Sequence, residues 1–195
     1  AYGLNIHAIN DYNGNDSASH PDMAMLFDSG NPTGTDFDLG TPNENFFNGP
    51  GQGSGGNPSN NLPPNNLPLN NLIIISEDGD TNDPDDEAKG GDIMLDFVVP
   101  TYVHSIKVVD IDVIGSSIKI THGNNTISTI PLANRGDNSV QTVIINTTDV
   151  TRIHVDLCGS AGVGWLKFCD SYKPLCTAPA SPDSVCFGDL TSVKA

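Results

Sequence analysis

The chain has 195 residues, of which 36% are hydrophobic and 16% charged, and carries a formal net charge of −16. Residues 1–88 hold fourteen acids and no Lys or Arg, a field that repels phosphate backbones and anionic lipid and so argues against nucleic-acid and membrane-surface partners. No run approaches the ~18 apolar residues of a membrane helix, and the abundance of Asn, Gly, Pro, Ser and Thr predicts many turns and short strands.

A single domain over 1–195 is expected, since all-β units of this size are common. Two short apolar pieces, LNIHAI and MAMLF, come first, separated by the polar stretch NDYNGNDSASHPD. From Ser29 to Asn71 nothing is periodic; the Gly-, Pro- and Asn-dense stretch, ending NNLPPNNLPLNNL, reads as a loop wrapped on a sheet face and pinned by its leucines. Strand patterns then follow at intervals of roughly 8–12 residues: LIIIS, DIMLDFVV, YVHSIKVVDIDVI, SIKITHG, TISTIPL, SVQTVIIN, TRIHVDL and GVGWLKF. Alternation places Ile93, Leu95, Phe97 and Val99 on one face, Val109, Ile111 and Val113 on another, and Ile153, Val155 and Leu157 on a third. One-sided strands belong to antiparallel sheets that bury one face. The expected fold is an all-β antiparallel β-sandwich, jelly-roll-like, of nine or ten strands with long Asn/Gly/Pro-rich loops.

The stretch SEDGDTNDPDDEAKGGD, Ser76 to Asp92, crowds Glu77, Asp78, Asp80, Asp83, Asp85, Asp86 and Glu87 directly after an apolar strand. Unpaired carboxylates this close raise one another's pKa and repel. A hard divalent cation turns that repulsion into a site, because Ca²⁺ takes six to eight oxygen ligands. Asp78, Asp80 and Asn82 fall on an EF-hand-like spacing, but Asp83 stands where that loop needs glycine, so this is not an EF-hand. Asp28, Asp36, Asp38 and Glu44 lie in the bent loop FDSGNPTGTDFDLGTPNEN, and Asp110 and Asp112 share a strand face in VVDIDV; both groups are candidates to complete the coordination. The plainer alternative is that these acids are solvated and keep the protein in solution.

The succession TPNE, GPGQGSGG, SEDxDxxDPDDEAxGG and GSAGVGWLKFC, spanning roughly residues 25–170, resembles a recurrent module of secreted or surface-attached microbial proteins. That resemblance implies a β-sandwich similar in character to calcium-binding and carbohydrate-binding ones, in an extracellular or cell-surface location. Residues 171–195 depart from the module as a C-terminal extension.

Cys158, Cys169, Cys176 and Cys186 lack C-x-x-C spacing and imply disulfides in an oxidising compartment, with sequential pairing expected. The first residues, AYGLNIHA, lack a basic-then-apolar signal pattern, as expected where a leader is removed or lies outside this sequence. No HExxH, GxSxG, Walker or dinucleotide glycine pattern is present, so a non-catalytic role is expected, with a polysaccharide-active enzyme using two of the acids as the lesser alternative. Trp165, Phe46, Phe47 and Tyr102 are the rings available to stack on a sugar. The expected function is a calcium-organised extracellular module binding a glycan or a matrix or surface protein; the alternative is a self-assembling structural or adhesive subunit.

Overall fold

A computed structural model describes residues 3–12, 18–59 and 62–169. Eight antiparallel strands account for nearly all regular structure: β1 (Leu4–Asn10), β2 (Ala24–Asp28), β3 (Asn71–Ile75), β4 (Gly91–Val109), β5 (Ser117–His122), β6 (Ile127–Pro131), β7 (Val140–Leu157) and β8 (Gly162–Cys169). They form one hydrogen-bonded sheet in the order β2-β3-β8-β4-β7-β5-β6, with β1 also paired to β4. Among the described residues no helix is long and apolar enough to cross a membrane.

The count is lower than the sequence pattern suggests because two pairs of expected strands are continuous. The first half of β4 pairs with β1 and with the second half of β7, whereas its second half pairs with β8 and the first half of β7. Between them the β4–β7 register slips, from Asp96 opposite Arg152 to Thr101 opposite Val150. Pro100, which has no N–H to donate, falls in that slip, and Asn146 and Asp149 on β7 are left-handed at φ 48° and 63°. The long strands bend there, so the two halves of the sheet turn toward each other around one core.

That core draws Ile93 and Leu95 from one half of β4, Ile106 and Val108 from the other, Ile118 and Ile120 from β5, Ile153 and Val155 from β7, and Val163 and Leu166 from β8. Burying each such side chain fully is worth about 1.5–3 kcal/mol. A second cluster lies on the outer face of β2, β3 and β8, where Phe27, Leu72 and Ile74 meet Leu39 and Leu69 of the long loop. β3 thus reads LIII without alternation because Ile73 and Ile75 enter one cluster while Leu72 and Ile74 enter the other. The long loop is wrapped as expected, but Leu62 and Leu67 remain exposed.

Two expectations are corrected. VVDIDV is not a strand beyond its second valine: Asp110 is left-handed at φ 67°, which ends β4 at Val109. Val109 consequently packs in the second cluster, Ile111 in the first, and Val113 is 40% exposed. Cys158 and Cys169 are not bridged to each other, and Cys158 is an exposed free thiol. Cys158 follows the end of β7 and Cys169 is the last residue of β8, so the length of an extended eight-residue strand, roughly 25 Å, keeps them far beyond disulfide reach. Cys176 and Cys186 lie outside the described residues.

Candidate functional site

The acidic stretch connects β3 to β4, and its base is closed like a hairpin. Ser76 bridges Asp86, Glu77 N–H donates to Asp85 C=O at 3.2 Å, and Glu87 N–H to Ile75 C=O at 2.9 Å. At the tip the carboxylates cap backbone donors: Asp78 Oδ1 accepts from Asp80 N–H at 2.7 Å, and Asp80 Oδ1 from Asn82 N–H at 2.8 Å. Asp and Asn favour such turns because their short side chains reach the amide two residues on.

Three other segments converge on this connection. The long loop lays Thr33 Oγ1 on Pro84 C=O at 2.7 Å, Gly34 N–H on Asp83 Oδ1 at 2.9 Å, and Asp36 Oδ2 under Asp86 N–H at 2.9 Å. Gly34 is left-handed at φ 64°, and a Cβ there would come within 2.3 Å of Asp85 Cβ, so only glycine lets the two loops touch. The β7–β8 turn adds Ser160 Oγ and Ala161 N–H, which donate to Asp86 Oδ1 at 3.0 Å and Oδ2 at 2.7 Å. The β1–β2 side supplies Asn10 Nδ2 and His20 Nδ1, 3.2 and 3.1 Å from Glu87 Oε2, while Lys89 N–H donates to Glu87 Oε1 at 3.0 Å.

These contacts bury carboxylates beside one another. Asp86 is displaced well above the usual carboxylate range by burial and then by Asp36. Asp36 rises to about 7 through burial, partly offset by the Asp86 N–H, with Asp38, Asp85 and Glu77 adding repulsion. Asp85 rises to about 6, through burial and then Asp78, Glu77 and Asp83. A second group lies alongside: Asp110 rises to about 8 through burial and the neighbouring Asp38, and Asp38 and Asp112 are also raised, by burial first and then by Asp137. Asp38 belongs to both groups, since its charge also bears on Asp36 and Asp86. Asp38 Oδ1 and Asp85 Oδ1 are sealed from solvent with no hydrogen-bond partner.

Asp36, Asp38, Glu77, Asp78, Asp83, Asp85, Asp86, Asp110 and Asp112 are therefore neighbours, and the structure adds Asp137. Its only sequence signal was a GDN turn before a strand, indistinguishable from any other surface turn. Asn138 fixes its place: Asn138 N–H donates to Asp110 Oδ1 at 2.6 Å, its Nδ2 to Asp38 C=O and Gly40 C=O at 2.7 Å each, and its Oδ1 accepts from Asn43 and Asn65. Asp28, Asp80, Glu44 and Glu87 stand apart. Asp28 caps Gly30 N–H at 2.9 Å, Asp80 ends in its exposed turn, Glu44 is exposed, and Glu87 is occupied by Asn10 and His20.

The candidate sugar-stacking rings are scattered. Trp165 packs against the second cluster, donates Nε1–H to Leu69 C=O at 3.1 Å and carries Lys107 Nζ 5.0 Å above its ring. Tyr102 donates its hydroxyl to Asn146 Oδ1 at 3.0 Å near the bend. Phe46 is half-buried, whereas Phe47 is 94% exposed on a turn whose backbone is left-handed at φ 54°. Among the described residues no three His, Cys, Asp or Glu side chains already stand in metal-ligating geometry. No family model matches the chain, and neither a curated protein nor a solved structure is significantly similar to it.

Proposed function

We propose that the protein is a non-catalytic extracellular binding module whose acidic loops are organised by a divalent cation, Ca²⁺ by the chemistry of the donors. The observation that carries this reading is the pair of solvent-sealed, partnerless oxygens, Asp38 Oδ1 and Asp85 Oδ1, inside a group of carboxyls whose pKa values burial and mutual repulsion push up. The donor set is all oxygen, which suits a hard cation and not zinc. Asp36, Asp38, Asp85 and Asp86 would hold the ion, with Glu77 and Asp78, whose charges bear on Asp85, alongside. Its charge would reverse the local repulsion and fasten the long loop to the β3–β4 connection.

Within this reading Phe47, the ring free of the core, is the surface on which a sugar face would stack. A matrix protein is the other partner that an exposed aromatic anchor suits. Titration of the chelator-treated protein with CaCl₂, followed by calorimetry and by melting temperature, tests the cation: saturable binding with a rise in melting temperature is expected. An unchanged melting temperature in excess EGTA and excess Ca²⁺ alike would refute it. Glycan-array binding lost in Phe47→Ala but kept in Tyr102→Phe tests the partner.

A further inference from the structure

A second feature of the molecule lies at the edges of its sheet. Among the described residues β1 and β2 are both edges of the folded sheet, since there β1 pairs only with β4 and β2 only with β3. Gly3 C=O accepts from Val98 N–H and Gly90 C=O from Asp11 N–H, which fixes the odd residues of β1 as those bonded to β4. The backbone groups of Leu4, Ile6 and Ala8 consequently point away from it. In the same way Met23 C=O accepts from Ser76 N–H and Ser29 N–H donates to Asn70 C=O, so Ala24 and Leu26 present their groups outward from β2. At the loop end of β1 the outward amide, Asn10 N–H, is taken by Asp22 Oδ1 at 2.8 Å, a side-chain carboxylate where a neighbouring strand would offer a carbonyl.

Between these two edges lies a cavity of about 420 Å³, lined by Ile6, Met23, Met25, Leu26 and Ile73 and roofed by Pro84 of the acidic connection. Leu26 is 41% exposed at its mouth. The volume falls in the ~300–1,000 Å³ range of ligand pockets, and the two methionines can adapt to the shape of an entering side chain. Every lining residue comes from the first 88 positions, which contain no Lys or Arg, and the roof is the most acidic segment of the chain.

We propose that this gap binds an extended peptide segment of a partner protein, one that adds a strand to an open edge, places alternate aliphatic side chains in the cavity and carries Lys or Arg on either side of them. Strand addition supplies partners to these outward backbone groups, and the apolar pocket supplies selectivity for alternate positions. Charge complementarity selects the occupant: a basic segment is drawn to the acidic rim, whereas a second copy of this chain, at −16, is repelled from it.

Fluorescence anisotropy of the full chain with a labelled peptide Lys-Thr-Ile-Lys-Ile-Thr-Lys tests this directly. Binding is expected to weaken with salt, to fall by about tenfold or more in Leu26→Lys, and to be lost when alternate peptide amides are N-methylated or when the lysines are replaced by Glu. Circular dichroism and melting of Leu26→Lys establish that this exposed change leaves the fold intact. Equal binding of the basic, acidic and N-methylated peptides, or no binding of any of them to the parent chain, would overturn the proposal. So would concentration-dependent dimerisation that Leu26→Lys abolishes, which assigns the gap to a second copy, or a dye such as anilinonaphthalene sulfonate held there that the basic peptide does not displace.

Discussion

Asp110 concentrates the chemistry of the site in one residue. It is left-handed, buried, accepts the Asn138 N–H and has its carboxyl pushed up to about 8. Asn tolerates left-handed backbone and keeps an Oδ1 acceptor, so Asp110→Asn removes the charge and little else. In chelator at pH 8 this variant is expected to melt higher than the parent, by the equivalent of about 1–3 kcal/mol, and the gap should narrow as pH falls and close near pH 3.8. If the second carboxylate group contributes to cation binding, Asp110→Asn should also reduce the Ca²⁺-induced rise in melting temperature, which a parallel scan in CaCl₂ would read. The residue was visible in the sequence as an acid next to apolar neighbours, but its burial was not. VVDIDV alternates like a strand, whereas the left-handed turn at Asp110 sets its carboxyl on Asn138 N–H and beside Asp38.

At the scale of elements, the long loop holds its place through side chains that its composition disguises. Leu39 and Leu69 are anchors, as leucines in a polar loop should be, yet the buried hub is Asn138, which joins Asn43 and Asn65 to the carbonyls of Asp38 and Gly40. Asn138→Ala strips four of these bonds and leaves buried polar groups without partners, for a loss of about 2 kcal/mol or more. Urea titration checks the loss, and limited proteolysis should show earlier cleavage within residues 29–70. Cys158, exposed on the β7–β8 turn, should react with a maleimide in the native protein without lowering its melting temperature. Strand identities from Leu72 onward were legible because Ile, Val and Thr alternate there against turn residues. The continuity of β4 and β7 was not, since Pro100 and the TTD stretch of β7 carry the signals that normally end a strand and here mark a bend.

For the whole molecule, the buried acids set the response to pH. Asp85, Asp36 and Asp110, at about 6, 7 and 8, hold protons that the unfolded chain has released. Without a divalent cation their contribution to stability is complete below about pH 3.8 and is lost as pH rises through about 6 to 8. The cation-free protein should therefore be less stable at pH 8 than at pH 5, as differential scanning calorimetry would register. If the proposed Ca²⁺ site forms, the ion competes with those protons, and its stabilising effect should be largest at pH 8 and fade toward pH 5. The acidity that produces this behaviour was plain in the sequence, whereas the meeting of distant acids was not, because residues 36–38, 83–86 and 110–112 come together only through the wrapping of the long loop.

The place of the acidic connection has a mechanical consequence. It leaves β3 in one half of the folded sheet and enters β4 in the other, and it is tied to the long loop by Asp36 and to the β7–β8 turn by Ser160 and Ala161. A tensile force that peels the halves apart must first tear those ties, so the connection acts as a latch across the open side. Stretched by optical tweezers between Asp28 of β2 and Ile127 of β6, at opposite ends of the sheet, the protein should yield at a lower force when Asp86 is made Ala and, if the proposed cation site forms, at a force that climbs with calcium concentration.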